Sequence, residues 1–171
     1  MALTELLILR IVHVLGGTFW VGGMLLTTFF LMPSMREAGP AAAPVMAGFQ
    51  KRKLMVVMPT VAFLTILSGF RLIWIVSGGF EGAFFATSRG MAYSIGGGLA
   101  LLAFLIGISV NRPANLKMAT LSRSLATAEP AQREALMSDL ARLRRRLGQV
   151  NLLVASLVVL ATIGMAIGRY I

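Results

Sequence analysis

Four apolar runs, each close to the roughly 20 residues a helix needs to cross a bilayer, constrain this chain more than any other feature. They lie at about residues 4–32, 54–77, 90–110 and 147–168. Composition agrees with them. Only 13% of the residues are charged and 57% are hydrophobic, where a soluble domain carries about 25% charged residues. Main-chain polar groups in lipid find no water, so each run is expected to be a helix, which satisfies them internally. The expected fold is all-α: a polytopic membrane protein, one domain over residues 1–171, built as a bundle of four transmembrane helices.

Punctuation and charge give the order. Pro33 is expected to end the first helix, with a Pro/Gly/Ala linker over 33–48 and then the basic cluster Lys51, Arg52 and Lys53. Pro59 falls in the first turns of the second span, where neighbouring helices can re-satisfy the freed carbonyl. In the polar connection 111–146, Leu136, Leu140, Leu143 and Leu147 recur at helical spacing. A helix from Ala131 should therefore run on into the fourth span, making a cytoplasmic helical hairpin between spans 3 and 4, hinged near Pro113 and Pro130. No internal repeat stands out, and no cleavable signal peptide is evident.

The formal net charge is +10. Connections 33–53 and 111–146 hold most of the sixteen Lys and Arg residues, and in a four-span chain these two connections share a side. Basic loops stay in the cytoplasm. Both are expected there, with the termini and the Glu81 loop outside, in a bacterial-type inner membrane. The arginine run 142–146 faces anionic lipid headgroups on this reading. The charge is a topology signal and not a nucleic-acid patch.

Several chemistries are excluded or disfavoured. The chain has no cysteine, so thiolate metal sites, disulfides and cysteine nucleophiles are absent. All six acidic residues fall outside the spans or at their edges, which disfavours a carrier that uses a buried carboxylate. No serine–histidine–aspartate set, phosphate-binding loop or dinucleotide fingerprint appears. These residues name no reaction. Asn151, Ser156 and Thr162 on the fourth span are expected to bond across helices.

The first span carries the richest chemistry. His13, Gly17, Trp20, Met24 and Thr27 fall within about 40° of one line at 100° per residue, a face expected to turn into the bundle. His13 is the only histidine. Ionisable groups inside a span are costly and mark function by default, which singles out Arg10, His13 and Arg71. An imidazole is a suitable axial ligand for haem iron, and the two arginines suit its propionates. Met91 is the better-placed candidate for a second axial ligand. Spacing alone favours a plainer arrangement, in which His13 bonds a neighbouring helix and both arginines snorkel to the headgroups. Methionine pairs Met32/Met35 and Met55/Met58 offer copper as an alternative metal, since thioethers suit Cu(I).

His13, Trp20, Gly22 and Gly23 with Pro33, then Lys51, Arg52, Lys53, Pro59 and Gly69, resemble two small membrane families, the copper-resistance D (CopD) type and the HemJ type. The resemblance covers most of the chain at low identity. It implies a compact four-span unit whose first-helix histidine, His13, can bind haem. HemJ-type enzymes carry a lysine early in the third span. Gly90–Gly96 has none, so the resemblance is not extended to protoporphyrinogen oxidation. The expected protein binds haem b through His13 for membrane electron transfer, alone, as a homo-oligomer or in a larger membrane complex. An accessory subunit without catalysis, or CopD-like copper handling, is the alternative.

Overall fold

The computed structural model describes residues 2–171, and every element among them is helical. Helix α1 spans Ala2–Leu26 and passes through a π-helical turn, Thr27–Leu31, into α2, Met32–Ala38. A short 3-10 turn, Gly39–Ala42, leads to α3, Ala43–Lys51, and then to α4, Leu54–Val76. A short α5, Gly82–Phe85, precedes α6, Ser88–Ile106. Another π-turn, Gly107–Asn111, joins α6 to α7, Arg112–Thr127, and α8 runs unbroken over Pro130–Ile167. Four stretches are long and apolar enough to cross a membrane: Leu3–Ala38, Leu54–Val76, Ser88–Thr127 and Pro130–Ile167. The chain thus has the build of a multi-pass membrane protein.

Pro33 does not end the first helix, and 33–48 is not a linker; both are helical. The reason is local. A proline has no N–H, and its ring clashes with the carbonyl four residues back. Opening the preceding turn relieves that clash. The Met32 N–H bonds the Thr27 carbonyl, five residues back, and the Arg112 N–H bonds that of Gly107. Pro33 and Pro113 each follow at once, in the first turn of the next helix. At the far end of α8, Pro130 opens the helix close to the expected Ala131. Helices α7 and α8 pack against one another.

Helix α1 packs along α4, and α6 along α8, with lighter contacts closing the ring between α4 and α6 and between α8 and α1. The core sits inside: Trp20, Ala62, Ala103, Val154, Leu157 and Val158 are buried together. Trp20, 7% exposed, meets the Phe104 ring edge-on at 6.5 Å. Opposite faces carry Phe19, Leu26, Phe63, Phe70 and Leu160 outward, a surface suited to lipid. The expected inward face of α1 is confirmed in Trp20 and Met24, which join this core. One end of the bundle is aromatic, where Trp74, Phe80, Phe84 and Phe85 stack around a turn. Gly78 and Gly79 make that turn at φ +66° and +90°, angles that glycine adopts without strain. The other end is basic.

An internal repeat exists after all. At one constant offset along α1 and α6, the π-turn and proline recur, as do Gly16/Gly96 and Gly17/Gly97. His13 and Tyr93 occupy matching places. The imidazole lies against Gly69 of α4, and the phenol ring lies against Gly168, which caps the C-terminal end of α8. Buried Ala62 and Ala161 match at the offset that relates Gly69 to Gly168. Spans 1 and 3 share little else than Leu25/Leu105, which is why sequence alone does not reveal the repeat.

Candidate functional site

The site grows from the close approach of α1 to α4. A Cβ on Gly16 would come within 2.5 Å of the Thr65 hydroxyl, and one on Gly69 within 2.8 Å of His13 Cε1. Small residues at both positions let the helices meet at this distance. His13 Nδ1 donates to the Thr65 carbonyl at 2.8 Å. A carbonyl only accepts, so Nδ1 carries the proton in the neutral ring, and Nε2 is left with its lone pair. The same carbonyl is approached by the Ser68 hydroxyl at 3.0 Å, which also bonds the Leu64 carbonyl. Thr65 and Ser68 are both buried. His13 is thus held in one tautomer and one orientation by α4.

Such second-partner bonding is what metal-ligating histidines show, because it aims the free nitrogen and raises its basicity. The residues fit a haem iron in that respect. Among the described residues no three His, Cys, Asp or Glu side chains converge as a metal-ligand set. A single axial histidine does not require one.

The other expected residues divide. Arg71 is not free: its guanidinium bonds Glu5 at 2.6–2.7 Å, across α1 and α4, with both side chains nearly half exposed. Arg10 is exposed on α1. Trp20 lies buried in the core. Met91 is half exposed at the start of α6. It stands on α6, which packs along α8 and more lightly against α4, diagonally across the ring from α1. The structure therefore brings His13, Glu5 and Arg71 to one helix pair and does not bring Met91 to His13. Of the methionine pairs, Met58 packs over Gly23 and joins the core, while Met55 is exposed.

Sequence reasoning passed over Thr65 and Ser68. Small hydroxyl residues in an apolar helix usually bond their own preceding turn, and both do so here. What distinguishes Thr65 is the glycine opposite, Gly16, a signal readable only once the helices are paired. On α8, Ser156 and Thr162 bond their own helix at Leu152 and Val158, contrary to expectation, and only Asn151 reaches another span, at Asn111. Surface hollows lie along α7 and α8, beside Gln132 and Leu136 and beside Arg142 and Arg145, away from His13. Compared with known proteins, the chain matches no family model, no curated protein and no solved structure.

Proposed function

We propose that this chain is an inner-membrane protein that binds a b-type haem through His13 Nε2 and serves membrane electron transfer, alone or as a subunit. The observation that carries the reading is the Nδ1–H bond to the Thr65 carbonyl, which leaves the lone pair on Nε2. The haem, when bound, supplies one-electron chemistry. His13 is the ligand, α4 fixes the ring through Thr65 and Gly69, and Arg10 together with Arg71 supplies positive charge for the propionates. Glu5 holds Arg71 until then. The resemblance of the first span to CopD-type and HemJ-type proteins supports the same role for His13. The basic connections 33–53 and 111–146 face the cytoplasm on this reading, meeting anionic headgroups there.

The test is an absorption spectrum of the purified protein. A Soret band is expected in the wild type, and His13→Ala abolishes it. A colourless wild-type protein overturns the reading.

One observation favours a second reading, an accessory subunit of a larger membrane complex. Gly22 and Gly98 are exposed with nothing packed over them, as helix faces awaiting another chain are. Copper is less favoured, because Met58 is committed to packing against Gly23.

A further inference from the structure

The basic end of the bundle holds a polar group of residues that the haem reading does not use. Asn111 donates through Nδ2 to Asn151 Oδ1 at 2.9 Å, and its main-chain carbonyl accepts from Asn115 at 2.8 Å. Its own Oδ1 is buried with no donor, and so is the Thr28 hydroxyl. These are the two buried side-chain polar atoms left unpartnered among the described residues. In lipid, no bulk water replaces a missing bond, so such atoms are costly to leave alone.

Both belong to the π-turns, and both turns pack against α8. By the repeat offset Asn111 matches Leu31, so Thr28 lies about one turn closer to the core than Asn111 does. Turns of this kind recur at functional sites. Arg36 reaches over α8 about one turn from Asn151. Its guanidinium lies 3.0 Å from where a Cβ on Gly148 would sit and donates to the Arg144 carbonyl at 3.4 Å. Gly148 is about one turn from Asn151 on the same face of α8. Ion pairs among the described residues are Glu5–Arg71 and Asp139–Arg142, so no carboxylate neutralises Arg36. Arg112 and Arg145 add positive charge nearby.

The chemistry that completes this set is specific. A phosphate answers the guanidinium. Hydroxyl groups would donate to Asn111 Oδ1 and Thr28 Oγ1, which a phosphodiester alone cannot do. An ammonium headgroup also donates, but the surrounding arginines repel it. We propose that Arg36, Thr28, Asn111 and Asn151 form a site for an anionic phospholipid with a hydroxyl-bearing headgroup. The site lies where the apolar part of spans 1 and 3 gives way to basic helices, so its ligand comes from the bilayer. It stands independently of the haem.

Native mass spectrometry of the full chain, titrated with single lipids, tests this. Phosphatidylglycerol should bind one per chain and about tenfold more tightly than phosphatidylcholine or phosphatidylethanol, which has the same charge and no headgroup hydroxyl. Arg36→Gln, at an exposed position, should weaken phosphatidylglycerol about tenfold. Asn111→Leu should abolish the preference over phosphatidylethanol. Equal binding of the three lipids, or a preference unchanged in both variants, overturns the proposal. Soluble glycerol phosphate binding as tightly as the lipid would overturn the lipid assignment.

Discussion

The pair α1–α4 and the pair α6–α8 are two versions of one unit, and they differ in where they keep their polar groups. The first pair is polar toward the aromatic end. There Glu5, His13, Thr65, Ser68 and Arg71 face across its contact. Matching places in the second pair hold Phe85, Tyr93, Gly164, Ile167 and Tyr170. At the basic end the order reverses: Asn111 and Asn151 of the second pair match Leu31 and Arg52 of the first. Glycines and prolines that fix the backbone are shared, while residues able to do chemistry are not. The repeat supplies the scaffold, and its asymmetry marks the two proposed sites.

Packing should expose the difference most strongly. Gly96 and Gly164 bring backbones together, with a Gly96 Cβ only 3.0 Å from the Ala161 carbonyl oxygen. A backbone cannot step aside. Gly96→Val is expected to destabilise the bundle by about 3 kcal/mol in a reversible unfolding measurement. Gly16→Ala meets the Thr65 hydroxyl, which can rotate at the loss of its bond to Val61, and should lose about 1–2 kcal/mol. Equal losses would break the comparison.

Matching ring contacts sharpen it. Gly69→Ala places a methyl against His13, and Gly168→Ala places one against Tyr93. Each is expected to lose about 1–2 kcal/mol of stability. Only Gly69→Ala should shift the visible absorption spectrum, because only it moves the proposed ligand. A spectral shift from Gly168→Ala of the same size would place the cofactor elsewhere.

Smaller effects follow at the edges. Glu5→Gln removes a half-exposed ion pair, for which about 0–1 kcal/mol is expected, fading as salt is added. Removing the phenol oxygen with Tyr93→Phe should change stability by less than about 0.5 kcal/mol and leave the spectrum as it was. A large effect there would mean that the second pair has a polar site at this end too.

The four spans were legible because their signal is length and hydropathy, which need no partner. The inward face of α1 was legible from the spacing of Trp20 and Met24. Pro33 misled because a proline is read as a stop, and the widened turn that accommodates it leaves no mark in the sequence. Yet Pro33 follows Gly16 at the same interval at which Pro113 follows Gly96. That was the visible trace of the repeat, hidden by the replacement of nearly every side chain between them. The Glu5–Arg71 pair and the orphaned oxygens of Thr28 and Asn111 arise from helix pairing, which composition and spacing do not encode.

The central claim concerns one nitrogen, His13 Nε2. A pyridine haemochrome assay on detergent-purified protein, with protein content measured in parallel, addresses it most directly. The account predicts haem b in simple stoichiometry with the chain, lost in His13→Ala while Tyr93→Phe retains it. No haem in the wild type, or full haem content in a folded His13→Ala protein, would contradict it.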